Sequence, residues 1–392
     1  MLFSTFERSE TRSKAHLEPE YVYLDQSARP EAGLVRGVLE QWFAGYPDGA
    51  KEELKRRLTS SDDDSFLAAF FELYLHELMR RLGCSVRVHP DLATDSSKHP
   101  DFLAERPGDQ SLYLEACLAN ELSKEQAAKI ARMNAVYDAI NRMHSPDYFI
   151  GMNLEGGPTT PPKARRLRSE LTKWLEALDY DAVRKDYTEC GLPGLPKKMY
   201  EHEGWSVEFS AIPKSEKVRG KLGVRPIGLQ FHQMRWAVPK EAVRDAVATK
   251  ATRYGTLGKP YVIALNFVGV HCDSDDVLQA LLGSEQYLID GVGPSAQVHA
   301  KRARDGAWFG PEGPQNTRVS AVLFTSNLNP WNVARRDVCL YHNPWAQRRC
   351  RCAITVLSEA QTEEGLDVVF KNGIHPRVLF GLPEGWPEGT TV

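Results

Sequence analysis

Apolar positions recur at helical spacing through Leu34, Val38, Leu39, Trp42 and Phe43, and again through Phe66, Phe70, Leu73, Leu75, Leu78, Met79 and Leu82. The first pattern predicts a helix starting near Pro30, with a second short helix over 49–58. The second predicts a largely buried helix over 65–82. Its start is marked by Ser-Ser-Asp-Asp-Asp-Ser at 60–65. These side chains can accept hydrogen bonds from the first free backbone N–H groups, and their charge suits that end of the dipole. Gly83 punctuates its end.

Three strand candidates follow, at 84–89, 100–105 and 111–118, separated by stretches holding Pro90, Asp95 and Ser96, then Pro107, Gly108 and Asp109. The last two predict a hairpin. A helix over 123–141, with Ile130, Met133, Val136, Tyr137 and Ile140 on one face, and an apolar strand over 147–154 complete the order helix, three strands, helix, strand. Gly-Gly-Pro-Thr-Thr-Pro-Pro at 156–162 reads as a linker, since successive Gly and Pro deny helix and ladder bonding. Beyond it come a basic amphipathic helix over 163–178, a break at 191–196, and a second set of elements. These are a strand over 205–212, a helix over 240–254, a strand over 261–267, a helix over 275–282 and a strand over 319–324. The Gly- and Pro-rich stretch 291–316 is expected to be a long loop. The expected organisation is an N-terminal helical cap (1–60), a central unit (61–158) and a C-terminal α/β domain (159–392).

A length of 392 residues suits two or three domains of about 100–200 residues each. With 42% hydrophobic and 26% charged residues and a mean hydropathy of -0.42, the composition is that of an ordinary globular protein. A net charge of -3 supplies no global positive field, so any nucleic-acid binding must use local basic runs. Three such runs are Lys163, Arg165, Arg166 and Arg168; Lys301, Arg302 and Arg304; and Arg348, Arg349 and Arg351. Seven scattered cysteines and a start without an apolar leader predict a reducing, cytoplasmic setting. The longest apolar stretch, around 261–270, is too short to span a bilayer, which takes about 20 residues.

Cutting a phosphodiester with a divalent ion needs hard oxygen ligands gathered on one edge, so that the metal polarises the phosphate and lowers the pKa of an attacking water. Asp101 follows Pro100 at the start of one strand candidate, and Glu115 lies near the end of the next. Glu115 sits between Leu114 and Ala116 in an otherwise apolar strand, where a buried carboxylate needs a partner. On Pro100, Asp101 and Glu115, and on the surrounding element order, residues 65–153 resemble the PD-(D/E)XK nuclease superfamily.

The resemblance implies a restriction endonuclease-like core and a nuclease dependent on Mg2+ or Mn2+ that acts on nucleic acid, DNA foremost. Asp101 and Glu115 would be catalytic and hold the metal, and Glu72, on the preceding helix, would join them. Cys117 stands where the motif has lysine. Lys124 or Lys129 on the following helix, or Lys98 just before Pro100, would supply the missing cation, or catalysis is lost. Lys98, Arg165, Arg166 and Arg168 are the candidate nucleic-acid contacts; a homo-oligomer or partner protein stays open. Two rivals remain: a binding or assembly module that kept the fold without cleavage, and an unrelated α/β enzyme with its site in 291–316.

Other constellations are weaker. Cys339, His342, Cys350 and Cys352 lack zinc-site spacing. Asp273 fits a helix cap. Trp308, Phe309, Trp331, Tyr341 and Trp345, interleaved with Arg302, Arg304, Arg318 and Arg335, read first as an aromatic core and second as a single-strand clamp.

Overall fold

The computed structural model describes the chain except residues 93–97, 121–123, 222, 233–238, 256, 270, 291–296, 363–367 and 389–392. Helices α1 (Glu20–Gln26), α2 (Pro30–Ala44), α3 (Asp48–Leu58) and α4 (Asp63–Arg81) come first. The acidic cluster acts as expected: the Asp62 side chain accepts from the Ser65 backbone N–H at 3.1 Å. Strands β1 (Ser85–Val88), β2 (Phe102–Glu105) and β3 (Leu112–Asn120) then pair antiparallel in succession. Next are α5 (Lys124–Asn141), β4 (Tyr148–Gly156), α6 (Ala164–Glu176), α7 (Tyr180–Cys190), β5 (Lys197–His202), β6 (Trp205–Pro213) and β7 (Ile227–His232). The chain continues through α8 (Pro239–Ala251), β8 (Tyr261–Val268), α9 (Ser274–Leu282), β9 (Glu285–Asp290), β10 (Gln297–Arg302), β11 (Phe309–Gly310) and β12 (Gly313–Pro314). It closes with β13 (Ala321–Ser326), β14 (Cys339–His342), β15 (Ser358–Thr362), β16 (Val368–Lys371) and α10 (Pro376–Phe380).

These elements group into two units whose boundaries differ from those expected at 60, 158 and 159. The first unit comprises residues 1–11, 19–121 and 237–392; the second comprises 12–18 and 122–236. Helix α5 and strand β4, expected to complete the order helix, three strands, helix, strand, belong to the second unit. In the first unit β3 is followed by α8 and β8, and β3 pairs in parallel with β8, Glu115 lying opposite Ile263. The reason is burial on both faces. Val262 and Ala264 of β8 pack with the core of α1–α4, while Ile263, Leu265 and Phe267 pack with α8 and α9. A central parallel strand needs such two-sided apolarity; β4, with Gly151, Asn153 and Glu155, lacks it.

The first unit's sheet runs β1-β2-β3-β8-β13-β14-β15-β16. The stretch 291–316 is not one long loop: β10 pairs with β9 and β11 with β12, while 291–296 lie outside the described residues. Asp273 caps α9 through a capping box with Asp276. The second unit has a sheet of order β5-β6-β4-β7, its core including Leu167, Leu171 and Leu175 of α6 and Val207 and Phe209 of β6. No helix of the described residues is long and apolar enough to cross a membrane.

Candidate functional site

Strand parity decides which side chains meet. Phe102 lies opposite Leu114 in the β2–β3 register, so one step further brings Asp101 opposite Glu115. Leu114 and Ala116 pack with the α1–α4 core, whereas Cys117 packs with the α8 core; Glu115, between them in the alternation, faces α8. There it is 1% exposed and fully engaged. Glu115 Oε1 accepts from Lys250 Nζ at 2.6 Å and Arg253 Nη1 at 3.1 Å, and Oε2 accepts from the Tyr254 hydroxyl at 2.6 Å. Lys250 lies on the α8 face that buries Val243, Val247 and Ala251, and Arg253 and Tyr254 occupy the turn after it.

Asp101 is held differently. Its Oδ2 accepts from the Ala116 backbone N–H at 2.7 Å, and its carbonyl accepts from His89 N. Its carboxyl is raised to about 7, first by burial, then by Glu115 and Glu72; the Ala116 N–H and Lys250 pull it back down. A carboxyl raised on folding stabilises the folded state fully below its unfolded pKa, and that stability is lost as pH rises through the folded one. The protein free of divalent ions is therefore expected to lose roughly 2–4 kcal/mol between about pH 4 and 7 through this group. Urea midpoints across that range measure the slope, and Asp101→Asn flattens it.

Glu72, near enough to help raise the Asp101 carboxyl, has its own partner. It lies on α4, and Arg57 of α3 grips it through two bonds of 2.6 Å. His76, on the same face of α4, is buried between the rings of Tyr46 and Phe102; burial lowers its pKa to about 4 and keeps it neutral. Among the described residues, no three His, Cys, Asp or Glu side chains are gathered closely enough to hold a metal ion. What fits a divalent ion is the pair. Mg2+ is commonly held by one or two carboxylates, with water and substrate phosphate completing its shell. The Asp101 carboxyl is raised first by burial and then by Glu115 beside it, and a cation at the pair would favour its ionised form.

Cys117 offers no cation, but that of Lys250 lies 2.6 Å from Glu115. Cys117 itself has its pKa raised to about 11, chiefly by burial, so its thiol stays protonated at neutral pH. Lys129, expected at the site, belongs to the second unit and pairs with Glu125 at 2.9 Å. Lys124 opens α5 in that unit, and its side chain lies outside the described residues. Lys98 is exposed in the approach to β2. Arg165, Arg166 and Arg168 lie on α6, where Arg165 is exposed and Arg166 pairs with Glu170 at 2.8 Å. His342 contacts Glu359 at 2.9 Å rather than joining the cysteines in a metal cluster. Trp308 and Tyr341 are buried, in keeping with the core reading.

Comparison with family models, curated proteins and solved structures found no match for this chain.

Proposed function

We propose that the chain is a metal-dependent nuclease of the PD-(D/E)XK kind, hydrolysing phosphodiester bonds of nucleic acid, DNA foremost. The observation that carries this reading is the ammonium of Lys250 at 2.6 Å from Glu115, with Glu115 in register opposite Asp101. Two acids and one lysine converge, although the lysine arrives 135 positions after Glu115 rather than two. The order α4, β1, β2, β3, α8, β8, with β3 parallel to β8, supports a restriction endonuclease-like core into which residues 122–236 are inserted.

Asp101 and Glu115 would hold the Mg2+ or Mn2+ ion, which supplies Lewis acidity and an acidified water. Lys250 orients the attacking water and offsets the negative charge that grows on the phosphate oxygens. The water oxygen bonds to phosphorus as it gives up a proton to bulk solvent, and the bond to the leaving sugar oxygen breaks, that oxygen taking a proton from solvent to leave as the hydroxyl. Arg253 and Tyr254 hold the Glu115 carboxylate in place. A second reading, a binding module without cleavage, is favoured by the three donors already satisfying Glu115.

Plasmid, linear duplex and RNA incubated with the protein and Mg2+ or Mn2+ separate the two. Wild type is expected to cut and Asp101→Asn to fall by about 100-fold or more, as for loss of a principal electrostatic group. No cleavage by wild type, or equal cleavage by both, removes the nuclease reading and leaves the binding module.

A further inference from the structure

The formal charge of -3 conceals two opposed halves. Residues 12–18 and 122–236 hold 21 lysines and arginines against 15 acids, a balance of +6, which leaves -9 for the remainder. The second unit is thus basic, and part of that charge is gathered in one place. A pocket of about 210 Å3 is lined by Arg142, His144, Ser145, Lys221 and Arg225, among others, and none of the described residues lining it is a carboxylate. Its framework is fixed by backbone pairing, Lys214 N to Asp147 O and Gly220 N to Pro146 O, which ties the 213–221 turn to the segment after α5.

Among the described residues, no ion pair joins Arg142, Lys221 or Arg225 to a carboxylate. Arg142 donates only its Nε, to the Asp138 carbonyl, and Arg225 is anchored through Nη2 on the carbonyls of Ser13 and Lys14. Beneath the wall, Lys214 is 2% exposed; its ammonium donates to the Ser145 carbonyl at 2.6 Å and lies over the Phe149 ring. The two nearby carboxylates are spent elsewhere: Asp138 accepts the backbone N–H groups of His16 and Leu17, and Asp147 pairs with Arg219 at 2.6 Å. Arg142 and Lys221 are exposed and Arg225 is half-buried, so their charge is open to a ligand from solution.

We infer that this pocket is a phosphate-binding subsite, with Arg142, Lys221 and Arg225 holding a backbone phosphate of nucleic acid. That the anion belongs to nucleic acid rests on the nuclease reading; the pocket's affinity for phosphate groups does not. Fluorescence anisotropy of the full chain with a labelled DNA duplex, in EDTA and across a salt series, tests it. Arg142→Ala/Lys221→Ala is expected to bind about tenfold more weakly and to lower the slope of log K against log salt by about 2, one counterion per lost contact. Lys185→Ala, a basic residue of α7 outside the pocket, should stay within about twofold of wild type. Lys221→Glu, on an exposed side chain, gives the same loss without disturbing the fold. Unchanged binding by the pocket variants, an equal loss in Lys185→Ala, or capture of phosphatidylserine vesicles in place of DNA overturns the subsite. Cleavage measured on the same samples keeps the two ideas apart: a wild type that binds but does not cut removes the nuclease reading alone.

Discussion

Lys250→Met is expected to cut DNA on the order of 10²–10³-fold more slowly than wild type with Mg2+ present, the usual cost of losing one preorganised charge at a developing oxyanion. Methionine keeps the stem that packs along α8 but leaves buried Glu115 with Arg253 and Tyr254 alone, so some stability is lost as well; a rate loss that persists at temperatures where the variant is fully folded is the signature of chemistry. A second arm makes the test specific. Cys117 lies two residues beyond Glu115 on the same strand face, and Lys250→Met/Cys117→Lys should regain about tenfold, roughly 1.4 kcal/mol of barrier. A Lys250→Met protein that cuts at the wild-type rate would remove the lysine from the mechanism and return attention to Lys98.

Glu115→Ala has the largest expected effect on stability, about 3 kcal/mol, because it strands charges rather than merely deleting a contact. Lys250, with a side chain 19% exposed, loses its carboxylate, and the Tyr254 hydroxyl keeps only the His99 carbonyl. Arg253, 44% exposed, regains water and adds little. Glu115→Gln retains an oxygen for Tyr254 and should lose about half as much. Urea denaturation of the three proteins at pH 7 orders them; an alanine variant as stable as wild type would mean that the network contributes nothing to folding.

The helix α4, the three antiparallel strands and the pairing of Asp101 with Glu115 were legible because each depends on short-range periodicity and one hairpin. The other half of the site was not. An insertion leaves no local mark at its boundaries, and the nearest helix and strand, α5 and β4, have the amphipathic and apolar patterns that α8 and β8 also have. A discriminating signal did exist: Tyr261–Val268 is an unbroken apolar run, as a strand covered on both faces requires, whereas β4 is interrupted by Asn153. That signal places β8 beside β3 and brings Lys250 of α8 to Glu115. The pairing of Glu72 with Arg57 was not legible either. Whether a helix carboxylate turns to a metal or to Arg57 depends on how α3 packs on α4, which no spacing along one helix reveals.

The parallel pairing of β3 with β8 joins Tyr113 to Tyr261, 148 positions later. In equilibrium terms the intervening unit is inexpensive, since lengthening a closed loop this much costs roughly 1 kcal/mol. In time it is not, because sequence-distant pairings form last. A chain emerging from the ribosome therefore displays Asp101 and Glu115 well before Lys250 exists to meet them. The buried carboxylate of Glu115 thus waits for its partners until synthesis has passed residue 250, and on the nuclease reading cleavage would be delayed until then.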